Sequence, residues 1–136
     1  MSVLWTHEEA LAGLGAEVVG KPPVSISGMS IDTRSIACGD LFFALQGESR
    51  DGHAFVPAAF EKSAAAAVVT QGHVGSLGGL GTLYVVDDRL KAMERLGRAA
   101  RARMVGQVVA VTGSVGKTST KEALRHVLAR QGATHA

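Results

Sequence analysis

Val108-Val109-Ala110-Val111-Thr112-Gly113-Ser114-Val115-Gly116-Lys117-Thr118-Ser119 reads as a hydrophobic strand, a glycine-containing turn and the start of a helix. Gly113 and Gly116 let the backbone turn tightly, with no Cβ to block an anion. The N–H groups of such a turn point inward and cradle phosphate oxygens. The helix N-terminus adds a partial positive charge. Lys117 supplies a full charge for the β- and γ-phosphates, and the Thr118 hydroxyl suits Mg²⁺. The candidate nucleotide-binding residues are therefore Gly113, Ser114, Val115, Gly116, Lys117, Thr118 and Ser119. Lys117 is the candidate catalytic cation and Thr118 the candidate metal ligand. The string departs from the general G-x-x-x-x-G-K-[ST] pattern, whose first glycine would fall at Val111, and fits the shorter T-G-x-x-G-K-T. The bland alternative is a tight strand-to-helix turn with a solvated Lys117. The order of strand, loop and helix favours the phosphate loop.

Outward from this loop, Lys117–Arg130 has Leu124, Val127 and Leu128 at inward helical spacing. Upstream, Arg89–Met104 reads as an amphipathic helix with Leu90, Met93, Leu96, Ala100 and Met104 as its apolar stripe. Leu83–Val86, Ala66–Thr70 and Leu41–Leu45 are short apolar runs expected to be strands, the last one buried. Val24–Ser27 alternates as a strand does. His53–Ser63 places Phe55, Val56, Ala59 and Phe60 on one helical side. Thr6-His7-Glu8-Glu9 is a capping box opening a helix to about Leu14, with Gly15 as its stop. Gln46–Gly52 and the five-glycine stretch Gly72–Gly81 read as loops, the second a connector. Alternating strands and helices define an α/β chain. A boundary near Arg103–Gln107 separates a nearly self-contained domain, 1–104, from a lone strand–loop–helix, 105–136. One such unit cannot cover both faces of its strand, so the second domain is expected to be incomplete at Ala136.

Composition narrows the function classes. Of 136 residues, 46% are hydrophobic and 19% charged, which excludes a disordered chain. A net charge of +2 and 4% aromatics argue against nucleic-acid binding. No apolar stretch approaches the roughly 20 residues of a membrane span, and the pattern of residues 1–9 leads us to expect no signal peptide. With one cysteine, no internal disulfide and no Cys-based zinc site can form. A reducing, cytoplasmic location is expected, without membrane insertion. The pattern specifies no oligomeric state. Cys38 is expected to be a small packed side chain near a turn. The basic residues Arg89, Lys91, Arg95, Arg98, Arg101 and Arg103 are expected to form a solvated helix face.

Three motifs in one collinear order carry a family resemblance. Asp32-Thr33-Arg34-Ser35 is followed by Gly39-Asp40-Leu41-Phe42-Phe43-Ala44-Leu45-Gln46-Gly47. Asp51-Gly52-His53-Ala54-Phe55 precedes the Ala64–Val69 run, and Thr112–Glu122 closes the series. These resemble the Mur ligase motifs D-S-R…G-D-L-F-x-A-L-x-G, D-G-H-x-F…G-A-x-A and the family's ATP loop, with Thr33 and Ser119 as hydroxyl-conserving departures. The resemblance implies a small N-terminal mixed-sheet domain that holds the UDP end of a muramoyl substrate. The first strand, P-loop and helix of a truncated ATP-binding central domain follow it.

The resemblance further implies ATP and Mg²⁺, activation of a carboxylate to an acyl phosphate, and amide formation by an incoming amine in cell-wall precursor synthesis. Further parts of the ATP site would lie beyond Ala136, so these 136 residues alone are expected to be inactive. Within the family, Lys121-Glu122 and Val86–Ala92 favour the type that adds D-alanyl-D-alanine to UDP-N-acetylmuramoyl-tripeptide. The type adding the third amino acid is the close rival, and a non-catalytic nucleotide-sugar module a third reading. An unrelated P-loop NTPase ranks last, because it leaves the two upstream motifs as coincidence.

Ser30, Thr33 and Arg34 are candidates for holding the UDP portion, through hydroxyl and charge-assisted bonds, with Gln46 and Gly47 beside them. Asp51 is read as the cap of the following helix. His53 is read as structural, and His7, His73, His126 and His135 as surface residues.

Overall fold

Four short parallel strands and the helices between them organise the larger part of the chain. The computed structural model describes residues 2–136. They fall into two compact units, one ending at Met104 and the other comprising Val105–Ala136.

In the first unit, β1 (Trp5–Thr6) leads into α1 (His7–Leu14) through the expected capping box. The Thr6 hydroxyl accepts the Glu9 N–H at 3.2 Å, and the Glu9 carboxylate accepts the Thr6 N–H at 2.9 Å. Gly15, at φ +65°, ends the helix. Then come β2 (Glu17–Val19), β3 (Ser25–Ile26), β4 (Gly28–Ser30) and β5 (Asp40–Phe43). A 3₁₀ turn over Gly52–Phe55 runs into α2 (Val56–Glu61). β6 (Ala66–Thr70), α3 (Val74–Leu77), β7 (Leu83–Val86) and α4 (Arg89–Arg103) complete the unit.

The main sheet has the order β2-β7-β6-β5-β4. Strands β4 to β7 are parallel neighbours in chain order, and β2 closes the far edge antiparallel to β7. Register pairs Phe42 with Ala67 and Ala67 with Leu83. Both faces of the sheet are covered, which is why β5, β6 and β7 read as unbroken apolar runs. Leu41, Phe43, Val68 and Tyr84 pack with Leu14 and Leu96 from α1 and α4 on one face. Phe42, Ala67, Val69 and Val85 pack with Val56, Ala59 and Leu77 on the other.

Several expectations change. Gly72–Gly81 is not a bare connector: it holds the end of a 3₁₀ turn and α3, because Leu77 is drawn into the second core. Tertiary burial outweighs the helix cost of glycine there. The buried stripe of α4 is Ala92 and Leu96, with Met93, Ala99 and Ala100 packed beside them; Leu90 and Met104 are exposed. Leu96 and Ala99 lie against Gly13 of α1, while the two ends of the stripe project beyond that contact. Cys38 is exposed rather than packed. His7 is half-buried and hydrogen-bonded to the Tyr84 hydroxyl at 2.8 Å.

The second unit contains α5 (Lys117–Leu128), which starts at Gly116 with φ +82°. Val108–Thr112 does not form the expected strand. A strand needs a neighbour to satisfy its N–H and C=O groups, and this unit contributes none. Leu124 and Leu128 are half-buried, whereas Val127 is 58% exposed and not inward.

Candidate functional site

Parallel α/β sheets present their loops at the carboxyl ends of the strands, where ligands bind in such folds. In the first unit those loops are Ile31–Ser35 after β4, Ala44–Asp51 after β5, Gln71–His73 after β6 and Asp87–Asp88 after β7. Thr33, Arg34, Gln46 and Gly47, from the first motif, and Ser30 just before it all lie at or just past the ends of the neighbouring strands β4 and β5.

The β4 loop is locally built. The Ser30 hydroxyl accepts the Asp32 N–H at 3.1 Å and donates to the Asp32 carbonyl at 2.8 Å, so it shapes the turn. Asp32 receives Arg34 Nε at 3.0 and 3.1 Å and Nη2 at 2.7 Å, a forked pair that leaves Nη1 without a protein partner among the described residues. The hydrogen bonds from the Arg34 side chain and backbone hold the Asp32 carboxyl at about 2. Lys62 Nζ donates to the Thr33 carbonyl at 2.5 Å. A cavity of about 460 Å³ is lined by Ile31, Asp32, Thr33, Arg34, Phe42 and Phe55. It combines an apolar wall with an exposed guanidinium.

The β5 loop folds back on itself. Gly47 N–H donates to the Arg50 carbonyl at 2.9 Å and Gly52 N–H to the Leu45 carbonyl at 2.8 Å. Asp51 caps the 3₁₀ turn by accepting the His53 N–H at 3.0 Å, as expected from sequence. Gly52 is required by a close approach: a Cβ there would stand 2.5 Å from the Leu45 oxygen and 2.6 Å from the Ala44 carbonyl carbon. Gln46 is exposed, its amide donating to the Gly47 carbonyl at 3.2 Å.

Sequence reasoning missed Arg89. Its Nη1 donates to the Ala44 carbonyl at 2.5 Å and to Asp51 Oδ1 at 2.6 Å, and its side chain is only 14% exposed. Arg95 reaches the Leu14 carbonyl, and Arg103 reaches the Leu4 carbonyl while lying 3.6 Å over the Trp5 ring. The helix is therefore not a uniformly solvated basic face. The available signal was position: Arg89 opens a helix directly after a strand, at the carboxyl edge.

His53 is buried beneath this pair. Its Nε2 accepts the Thr70 N–H at 3.1 Å, so the ring proton sits on Nδ1 and is donated to Asp51 Oδ1 at 2.8 Å. His73 stacks on it at 3.6 Å between centroids, and so is not a free surface residue. Burial, then the Arg89 charge, pushes His53 below its ordinary value. Burial works against the charged form of Asp51, but the His53 N–H and the Arg89 guanidinium outweigh it and hold the carboxyl at about 2. Asp51, His53 and His73 bring potential metal-ligand atoms within 4.8 Å of one another. The Arg89 guanidinium already occupies the cation's place against Asp51, and Thr70 takes Nε2 of His53. The cluster is thus a protein-filled network.

In the second unit, Gly113 and Gly116 hold φ +146° and +82°, conformations that favour glycine. No heavy atom lies within 4 Å of where a Gly116 Cβ would stand, and no side chain caps α5. The first N–H groups of that helix are free of a side-chain acceptor, with Lys117, Thr118 and Ser119 in its first turn.

The carboxyl-edge motifs point to a class, the Mur ligases. Residues 25–104 match the Mur ligase family, catalytic domain, and the chain belongs to that family. It is 44% identical over 112 residues to the UDP-N-acetylmuramoyl-tripeptide--D-alanyl-D-alanine ligase of Synechocystis sp., covering 82% of this chain and 24% of the relative. Relatives named as 2,6-diaminopimelate ligases match at 30–35% identity. Among solved structures, MurF from Acinetobacter baumannii superposes with a TM-score of 0.76 at 30% identity, over 93% of this chain and 28% of that one. The MurF ligase of Thermotoga maritima in complex with ADP gives 0.59 at 31% identity, over 76% and 23%. The chain spans about a quarter of the length of the curated relatives it matches.

Proposed function

We propose that residues 1–104 bind the UDP end of a muramoyl-peptide precursor, within a ligase that adds D-alanyl-D-alanine to UDP-N-acetylmuramoyl-tripeptide. The observation that carries this reading is the cavity lined by Thr33 and Arg34 just past β4, beside the neighbouring strand β5 whose following loop carries Gln46 and Gly47. Arg34 keeps Nη1 available for a diphosphate or uracil oxygen, while Asp32 fixes the plane of the fork. Thr33 offers a hydroxyl beside the cavity, Ser30 sets the turn that presents both, and Gln46 and Gly47 offer amide groups from the loop after the adjacent strand. The higher identity to the D-alanyl-D-alanine ligase favours that amine over diaminopimelate.

Residues 105–136 are read as the start of an ATP-binding domain. Gly113, Ser114, Val115 and Gly116 would wrap the phosphates, Lys117 would neutralise the β/γ charge, Thr118 would hold Mg²⁺ and Ser119 would extend the donor set. The positive φ angles and uncapped helix start fit that group, and the ADP-bound relative supports it. When bound, ATP with Mg²⁺ supplies the phosphoryl group that activates the precursor carboxylate toward the amine. No helix of the described residues is long and apolar enough to cross a membrane, and an ATP- and UDP-linked reaction fits the cytoplasm. Calorimetric titration of the chain with UDP-N-acetylmuramoyl-tripeptide tests the reading. Saturable binding that weakens at least about tenfold in Arg34→Met supports it. A folded chain that binds no precursor contradicts it.

A further inference from the structure

Arg89 reaches both ends of the β5 loop with one nitrogen. Ala44, whose carbonyl it takes, is the residue before the loop turns away from the sheet, and Asp51, whose carboxylate it takes, is where the loop returns. Between them lie Gln46 and Gly47. The isolated bridge between Gln46 and Asp51 closes the loop with two backbone bonds, Gly47 to Arg50 and Gly52 to Leu45. Residues 46–50 are all exposed. Closure this sparse does not by itself define one loop shape. The buried guanidinium, bonded to a carbonyl and a carboxylate, is the strongest tie the loop has.

We propose that Arg89 is a positioning residue: it clamps Ala44 to Asp51 and thereby sets the shape in which Gln46 and Gly47 meet the nucleotide end of the substrate, with His53 as the neutral spacer beneath the clamp. The proposal rests on the precursor-binding reading above. The spacer role follows from geometry. His53 Nδ1 lies 2.9 Å from Arg89 Nη1, both against Asp51 Oδ1, so a positive charge on the ring would stand directly beside the guanidinium. The neutral ring also needs Nε2 free to accept the Thr70 N–H. The charged or titratable groups facing His53 are Asp51 from its own turn, Arg89 from α4 and His73 stacked from the turn after β6. Protonating His53 adds a donor where Thr70 already donates and a charge against Arg89. The clamp therefore loosens in acid, and nucleotide affinity should fall with it.

Lysine at this position keeps the charge but concentrates it on one flexible ammonium, so it restores the clamp only in part. Asn at position 51 keeps the cap and an acceptor for Arg89 while removing the carboxylate charge. The test compares wild type, Arg89→Met, Arg89→Lys and Asp51→Asn by amide hydrogen exchange and by calorimetric affinity for UDP-N-acetylmuramoyl-tripeptide from pH 5.5 to 8. Arg89→Met should exchange Gly47 and Gly52 at least about tenfold faster, with Phe42 and Val68 still protected, and bind at least about tenfold more weakly. Arg89→Lys and Asp51→Asn should fall between it and wild type. The acid-side loss of affinity seen in wild type should flatten in Arg89→Met. Unchanged exchange at Gly47 and Gly52 overturns the clamp whatever the ligand does. Faster exchange with unchanged affinity overturns the positioning role, and lost affinity with unchanged exchange makes Arg89 a direct contact instead. If wild type binds no precursor, the functional reading fails, while the exchange result still decides the clamp.

Discussion

Gly52 and Gly97 should respond to the same substitution with opposite signs. Gly52 is buried, and an added methyl would meet backbone at 2.5 Å (Leu45 oxygen), 2.6 Å (Ala44 carbonyl carbon) and 2.7 Å (Leu45 nitrogen). Ordinary carbon contacts are about 3.5–4.0 Å, so the main chain must give by nearly an ångström. Overpacking of this kind costs about 1–3 kcal/mol, and the upper end applies because backbone cannot swing aside as a side chain does. Gly97 is exposed inside α4, with nothing within 4 Å of its would-be Cβ. Alanine there should gain the helix-propensity difference, about 0.8–1 kcal/mol. In a unit of this size 1 kcal/mol moves Tm by about 4–8 °C. Thermal unfolding of the two variants beside wild type, followed by far-UV circular dichroism, should show Gly52→Ala melting lower and Gly97→Ala higher. A Gly52→Ala protein with wild-type Tm would refute the claim that the Asp-Gly-His turn needs glycine for close backbone approach.

Leu96→Ala should destabilise the first unit by about 2–5 kcal/mol in urea unfolding, because Leu96 is 1% exposed between α1 and the sheet. His53 is held below its ordinary 6.5 in the folded state, so the unfolded chain binds more protons just below that pH. Stability should then fall as pH drops below about 6.5, by up to about 1.4 kcal/mol per pH unit, and His53→Asn should remove that slope in denaturant titrations. Asp51, held at about 2 against an ordinary 3.8, adds a separate loss between those values. Lys117→Met should abolish ADP binding in fluorescence titration of the intact protein while leaving the unfolding midpoint of the first unit unchanged, since Lys117 is exposed.

What the sequence showed was local or strongly periodic. The capping box at Thr6 and Glu9 involves residues three apart, so its pattern is complete within one turn. Ala66–Thr70 and Leu83–Val86 were legible because both of their faces are buried. β2 was not, since three residues gain strand geometry only from pairing with β7. α3 was hidden by its glycines, as the burial of Leu77 depends on a core assembled elsewhere. The Asp51 cap spans two residues and was read correctly. Arg89 was absorbed into a basic helix face because its acceptors lie 45 and 38 residues upstream. Thr33, Arg34, Gln46 and Gly47 stand in one sequence motif with Ser30 just before it, but the adjacency of its two halves follows from the parallel pairing of β4 with β5. Val108–Thr112 has the composition of a strand without a partner to pair with.

Phosphate release by the intact ligase most directly tests the account. With ATP, Mg²⁺ and UDP-N-acetylmuramoyl-tripeptide present, release should depend on D-alanyl-D-alanine and yield a UDP-linked pentapeptide. Turnover instead with the dipeptide precursor and diaminopimelate, and none with D-alanyl-D-alanine, would contradict it.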